Sequence, residues 1–224
     1  MGAVCGMRRS RRMSTVLAIV AVVAGCSSVA AASERQFSYR VQMAPYGAIG
    51  IYRSAVQRDG NETTITTEAH IRISLIGIVL YRMDISRVER RISDRLVYFH
   101  GLTTENGKLI KVDGRAAGEH FIITSPTGSV TAPGTIRTSD PWSVGTLGPS
   151  IVFMPDSGSV TGVRTSGGEQ TSITVDGAAV RVRCYQVNTN DGREQYEVWM
   201  DDQRTPVMFN ITDRQGTTTF TLVR

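Results

Sequence analysis

The sequence contains one motif that could supply an acid catalyst, the run Pro155-Asp156-Ser157-Gly158-Ser159. Its Asp-Ser-Gly triplet is the one in which aspartic proteases carry a catalytic carboxylate. That chemistry needs two carboxylates that share a proton, and the sequence has a single copy of the triplet. Because proline, aspartate, serine and glycine also favour turns, we predict that this segment is a turn.

A cysteine nucleophile is the second chemical possibility. Cys184 would need a histidine base, and the sequence offers His70, His100 and His120. Cys184 continues the apolar alternation of the two preceding valines, which predicts a small buried side chain. The histidines lack the spacing of a paired metal-ligand motif, and His70 and His100 are predicted to lie on strand surfaces. We therefore expect a non-catalytic protein with no metal site and no cofactor.

Cys26 is placed where a covalent lipid could be attached. Arginines at residues 8–12 precede an apolar run at 15–23, which is typical of an export signal and shorter than the roughly 20 residues that span a bilayer. Val23-Ala24-Gly25-Cys26 resembles the lipobox of bacterial lipoproteins, whose cysteine sulfur accepts a diacylglycerol, and Ser27 after it resembles the sorting residue of outer-membrane lipoproteins. Ala30-Ala31-Ala32 leaves a second possibility open, cleavage after residue 32.

The leader accounts for the basic charge of the chain. The formal net charge is +5, and residues 1–25 carry four arginines and no acidic residue, so their removal leaves +1. A nearly neutral chain gives no electrostatic reason to expect a nucleic acid partner. We predict a signal peptide at 1–25, a short tether at 26–35 and a single β-domain at 36–224, with Cys184 as its free thiol.

The rest of the sequence alternates between apolar and polar residues. The longest example is residues 64–75, and similar runs occur at 180–185 and near the end of the chain. This period of two predicts strands, and we expect an all-β antiparallel meander of about a dozen strands. Glycine-containing turns are predicted between them, at Asp59-Gly60, Asn106-Gly107, Asp113-Gly114, Asp176-Gly177, Asp191-Gly192 and Gln215-Gly216.

Two segments depart from this alternation. Residues 74–83 are apolar at nearly every position, which predicts a central strand that is covered on both faces or lines a curled sheet; a change of apolar phase beyond them predicts a bulge near Ser86. Residues 125–168 are rich in Gly, Pro, Ser and Thr, which predicts a surface excursion of the same domain. We expect Trp142 to hold this loop on the sheet.

Three parts of the chain carry a family resemblance. Residues 89–114, the run Asp140-Pro141-Trp142-Ser143 and residues 196–222 resemble a family of exported bacterial proteins of unknown function. The closing pattern is similar to that of envelope proteins with a strongly curved antiparallel sheet, a half-barrel or open barrel, as in periplasmic lipoprotein carriers. Its positions here are Trp199, Asp201, Pro206, Gly216, Phe220 and Leu222. The resemblance implies no catalytic residues, and we expect Trp199 on an inner or end-capping surface.

These observations favour an exported lipoprotein on the periplasmic side of the envelope, anchored through Cys26 to the outer membrane. Its concave sheet face could hold an apolar ligand such as an acyl chain, on Ile71, Ile73, Leu75, Ile78 and Leu80. The alternative is a structural or protein-interaction lipoprotein without a ligand. A hydrolase is the least favoured hypothesis, and the sequence identifies no protein partner.

Overall fold

A computed structural model describes residues 33–143 and 148–223 of the chain. Within these residues there are fifteen strands, one turn of 3-10 helix at Pro141–Ser143 and no α-helix. The strands are β1 (Ser33–Met43), β2 (Gly47–Asp59), β3 (Glu62–Leu75), β4 (Ile78–Ile92), β5 (Arg95–Glu105), β6 (Lys108–Ala117), β7 (His120–Ser125), β8 (Gly128–Pro133), β9 (Arg137–Thr138), β10 (Gly148–Phe153), β11 (Val160–Val175), β12 (Ala178–Thr189), β13 (Gln195–Met200), β14 (Pro206–Asp213) and β15 (Gly216–Leu222). Residues 33–35, predicted as tether, belong to β1.

The strands form one sheet made of two meanders. β1 to β8 pair in sequence and β9 to β15 pair in sequence, and the two series join where β1 pairs with β15. The neighbours are antiparallel except for the short β9, which is parallel to β10. This confirms the predicted all-β antiparallel meander, with fifteen strands in place of a dozen.

The sheet is strongly curved and open. Its two outermost strands, β8 and β9, are consecutive in the chain and do not pair with each other. Residues 134–136 join them, and so short a connection spans at most about 14 Å. Two strands at opposite edges can be joined in this way only if the sheet curls its edges toward each other.

Aromatic side chains fill the concave face. Tyr39, Tyr52, Phe209 and Phe220 pack together, with ring centroids 4.3–5.7 Å apart. At the edges of the sheet, Phe153 of β10 contacts Phe99 of β5 and Phe121 of β7, with ring centroids 4.9 and 6.0 Å away. Such rings contribute large buried areas, so the second group joins the two meanders across the interior.

Strand β4 carries charged residues on this concave face. Arg87, Glu89 and Arg91 pair with Thr67, Ile65 and Thr63 of β3, in the same phase as the inward Ile85. The predicted bulge near Ser86 is therefore wrong, since the register is continuous there. The apparent change of phase arose because polar side chains occupy inward positions.

The far half of the β11–β12 hairpin covers the outer face of the second meander. A bulge between Gly167 and Glu169 bends this hairpin, and Asp176 at its tip forms an ion pair with Arg40 of β1 at 3.7 Å. Its valines pack with Trp199 and Val207. Trp199 is thus partly buried on the outer face. The prediction that it lies on an inner or end-capping surface is wrong.

The predicted central strand at residues 74–83 is the end of the β3–β4 hairpin. Pairing between β2 and β3 stops at Gly50 and Ile71, and pairing between β4 and β5 begins at Met83 and Glu105. Arg82 is still hydrogen-bonded through its backbone to Asn106 of the β5–β6 turn, and Ile73 and Tyr81 line the concave interior. Residues 74–80 pair only with each other among the described strands. An apolar run has no period, so it could not distinguish a covered strand from an exposed one.

The segment predicted as a surface excursion, residues 125–168, contains β8, β9, β10 and the start of β11. Its Ser- and Thr-rich strands lack the apolar alternation that would have revealed them. Trp142 does hold the connection to the sheet, as predicted: its ring lies 4.8 Å from that of Phe37, and its Nε1 donates to Ser54 Oγ at 3.4 Å. This contact places residues 139–143 on the concave face.

Five of the six predicted glycine turns are confirmed as hairpin turns. Asp113-Gly114 is the exception, because both residues lie inside β6. A Cβ on Gly114 would lie 2.5 Å from the ring of Phe121. This glycine is therefore explained by the close approach of an aromatic ring.

Residues Ala31–Arg224 form one compact unit, and the sheet and its cores are internal to it. This unit can therefore be produced and studied by itself. Among the described residues, no helix has the length and apolar character needed to cross a membrane.

Candidate ligand-binding site

The concave face encloses a cavity of about 200 Å³. Since neighbouring strands are antiparallel, alternate turns lie at one end of the sheet, and the cavity opens at the end formed by the turns after β1, β3, β10, β12 and β14. Its wall is largely apolar and includes Met43, Ile49, Ile71, Ile73, Met83, Ile85, Phe209, Ile211 and Phe220. A concave, mostly apolar cavity with few polar groups is typical of a small-molecule site.

The inner end of the cavity is polar. Arg87 and Asp140 line it, and Tyr52 donates a hydrogen bond to Asp140 Oδ2 at 3.1 Å. The backbone nitrogen of Trp142 donates to Asp140 Oδ1 at 2.9 Å. The rise of a strand places Arg87 about 20 Å from Tyr81 at the mouth, so the cavity is long enough for an extended chain.

Arg87 has unused hydrogen-bonding capacity. Among the described residues, its Nε is one of three buried side-chain polar atoms without a partner; the others are Thr103 Oγ1 and Asn210 Oδ1. Of these three residues, Arg87 lines the cavity. An unsatisfied buried donor costs free energy, and an oxygen of a bound ligand would satisfy it.

A buried ion pair supports this polar end. Arg91 and Glu89 are each less than a tenth exposed and are hydrogen-bonded to each other. Thr138 Oγ1 donates to the second oxygen of Glu89 at 2.7 Å, and Arg91 also donates to Ser143 Oγ. This network fixes the residue 139–143 connection against β4, and thereby positions Asp140.

Burial in the protein interior and, to a smaller extent, the nearby negative charge of Glu89 together raise the pKa of Asp140 to about 6. The native carboxyl holds its proton up to about pH 6, whereas an unfolded aspartate releases it near 3.8. The unfolded state then binds fewer protons, so stability falls as the pH rises through this interval.

We expect Asp140→Asn to remove about 2–3 kcal/mol of this pH dependence between pH 4 and 6. Asparagine retains an oxygen for the Trp142 nitrogen and carries no charge. Urea unfolding of both proteins across this range measures the effect, and Asp202→Asn, at an exposed position, is the control. A wild-type slope that persists in Asp140→Asn would contradict the assignment.

The mouth of the cavity is acidic. Asp156, Glu194 and Asp213 line it, and Tyr196 donates a hydrogen bond to Glu194. Burial raises the pKa of Glu194, and the charges of Asp156 and Asp213 add to the increase. These charges disfavour an anionic group at the mouth.

The residues predicted to bind a ligand fall into two groups. Ile71 and Ile73 line the cavity, whereas Leu75, Ile78 and Leu80 are exposed near the hairpin end. The structure therefore does not bring the five together on one concave surface. Cys26 lies outside the described residues.

The residues weighed for catalysis are dispersed. Asp156 lies in the predicted turn after β10, and half-buried Cys184 is on the outer face, where burial raises its pKa. His70 lies on the sheet surface as predicted, bonded to Asp84 at 2.8 Å; His100 is partly exposed and bonded to Asp113 at 2.6 Å. Residues 33–143 and 148–223 contain no cluster of three His, Cys, Asp or Glu side chains suited to a metal ion.

Comparison with known proteins gives a family and a fold. The family model described as a domain of unknown function, DUF6134, matches residues 46–223, and no curated protein matches the chain. A solved β-barrel-like protein of the domain of unknown function DUF1849 from Brucella abortus has a TM-score of 0.65 and 10% identity to the chain. The match covers 84% of this chain and 95% of that one. It confirms a barrel-like curved sheet.

Proposed function

Since the chain belongs to the DUF6134 family of unknown function, we propose its role from the cavity: it is a non-catalytic, exported envelope lipoprotein that holds an apolar ligand inside the sheet. The single observation that carries the ligand proposal is the largely apolar cavity of about 200 Å³ with a polar inner end. The lipobox-like Cys26 and its leader support export and anchoring.

The chemistry of the lining favours an acyl chain with an oxygen-bearing polar end. Methionine and isoleucine side chains of several strands form the wall, so affinity would come from apolar burial. The acidic mouth disfavours an anionic head at the entrance, and Arg87 offers a donor at the inner end. A long-chain fatty acid that enters with its carboxylate first satisfies both conditions.

A substitution that fills the cavity tests this proposal. Ile85 is half-buried and lines the cavity, so Ile85→Trp should lower the affinity for a fluorescent long-chain fatty acid at least about tenfold. Ile51→Trp is the matched control, because Ile51 is 43% exposed on the outer face of β2. Binding is measured by fluorescence titration of residues 31–224, with thermal unfolding of each variant.

A native mass spectrum of the full-length product, purified from its envelope, measures both the mass of the processed N-terminus and the mass of any bound ligand. We expect a lipid-modified N-terminal Cys26 and an additional non-covalent mass in the acyl-chain range. No fatty acid binding by the wild type would support the alternative of a structural or interaction lipoprotein.

A further inference from the structure

The β3–β4 hairpin projects beyond the sheet at the mouth of the cavity. Its ladder pairing with neighbouring strands ends at Ile71 and Met83, Arg82 adds two backbone hydrogen bonds to Asn106, and its turn at Ile76 lies roughly 16 Å beyond Ile71 along the strand. Ile73 and Tyr81 still line the cavity. Beyond them, within residues 33–143 and 148–223, the backbone of the hairpin pairs only with itself.

The end of this hairpin exposes large apolar side chains on every side. We define the apolar tip as Leu75, Ile76, Ile78, Val79 and Leu80, which are 45–93% exposed. Because neighbouring residues of a strand point to opposite faces, the tip is apolar on both faces. A groove on a protein would cover one of them, whereas the interfacial layer of a bilayer can surround both.

The turn itself is built at a conformational cost. Ile76 has φ of 50° and Gly77 has φ of 77°, a pair of left-handed residues in which asparagine or aspartate is preferred at the first position. Asn106 and Asp176 occupy that position in two other turns of this chain, each with φ of 48°. A β-branched residue is strained there, and Ile76, 93% exposed, gains no packing in return.

Basic residues lie directly behind the tip. Arg72 and Arg82 are opposite each other on the two strands, and both are exposed. Arg82 Nε contacts Asp84 at 2.8 Å and Arg72 Nε contacts Ser74 Oγ at 3.2 Å, while residues 71–83 contain no acidic residue. Asp84 offsets part of the positive charge of this pair. Like charges directly opposite destabilise a strand pair, and a further anion bound between Arg72 and Arg82 would relieve the remaining repulsion.

We propose that the apolar tip inserts into the interfacial layer of an anionic lipid bilayer, with Arg72 and Arg82 on the headgroup phosphates. Insertion is shallow, because the outer backbone groups of a two-stranded hairpin need water or headgroups as partners. Asp156, Glu194 and Asp213 belong to the second meander at the mouth of the cavity, and they stay in the aqueous phase. The contact requires neither an acylated Cys26 nor a ligand in the cavity.

Flotation with phosphatidylglycerol-containing vesicles tests the insertion. The experiment uses residues 31–224, which contain neither the leader nor Cys26, so any vesicle binding comes from the β-domain. The variant Ile76→Asn, Ile78→Thr should reduce vesicle binding at least about tenfold. Its thermal unfolding midpoint should be equal to or above that of the wild type, because asparagine relieves the strained turn. The control is Val130→Thr, Ile151→Thr, at two exposed apolar positions of β8 and β10, which should bind like the wild type.

The charge contribution is measured separately. Arg72→Gln, Arg82→Gln should weaken binding to anionic vesicles about thirtyfold, at about 1 kcal/mol for each basic residue near the surface, and should leave binding to phosphatidylcholine vesicles unchanged. Wild-type protein that does not float with anionic vesicles, or a tip variant that binds like the wild type, would overturn the proposal. The tip variant should bind fatty acid normally in solution, so a failed insertion and a failed cavity proposal give different results.

Discussion

Replacement of Arg91 by alanine is expected to lower the free energy of unfolding by about 3–5 kcal/mol. The guanidinium is the hydrogen-bonded partner of buried Glu89 and also donates to Ser143 and to the backbone oxygen of Trp142. Its removal leaves a carboxylate in the interior without its counter-charge. Thr138 still donates to that carboxylate, but a hydroxyl does not neutralise it. Urea unfolding of residues 31–224 measures the loss.

Two further variants identify the cause. Arg90→Ala removes an exposed arginine that pairs with Glu62 at 2.8 Å on the outer face, and should cost less than about 1 kcal/mol. The double variant Glu89→Leu, Arg91→Met should recover most of the stability, because replacing both members of a buried pair removes the uncompensated charge. Thr138 and Ser143 remain hydrogen-bonded to each other at 3.0 Å. A double variant as unstable as Arg91→Ala would contradict this explanation.

Phe153→Ala is expected to cost about 3–5 kcal/mol as well. The ring is fully buried and packs between Phe99 and Phe121, so truncation leaves a cavity where β10 meets the first meander. The effect should be cooperative and visible in both tryptophan fluorescence and far-ultraviolet circular dichroism during urea unfolding.

Ile151→Ala is the matched control on the same strand. Ile151 is 42% exposed, and its truncation should cost less than about 1 kcal/mol. Equal losses for Phe153→Ala and Ile151→Ala would show that β10 is held by its hydrogen bonds to β11 and not by the aromatic contact across the interior.

The fold was predictable where one face of a strand is apolar and the other polar. Residues 64–75 show this alternation and all lie in β3, where the predicted inward face is buried from Ile65 to Ile73 and only Leu75 is exposed. The pattern failed in β4, where Arg87, Glu89 and Arg91 point inward, because alternation analysis assigns charged residues to the solvent side. It also failed for β8 to β10, whose small polar residues carry too little apolar signal.

The candidate site was predictable only in part. The apolar–polar alternation of β3 predicts that Ile71 and Ile73 point inward, and both line the cavity. The proximity of Asp140 to Tyr52 depends on the path of residues 139–143 across the concave face, which no local pattern encodes. Asp140-Pro141-Trp142-Ser143 was recognisable as a motif, but its inward position depends on contacts made by Trp142 and Ser143 with distant strands.

The pairing of β1 with β15 has a consequence for how the chain acquires its structure. Tyr39 pairs with Leu222, which follows it by 183 residues, so the centre of the sheet forms from the first and last described strands. Until β15 is synthesised and docked, β1 and β14 each have an unpaired edge that can recruit other chains. Contacts so distant in sequence also slow folding. The nascent protein therefore has a long interval in which protection by a chaperone would reduce aggregation.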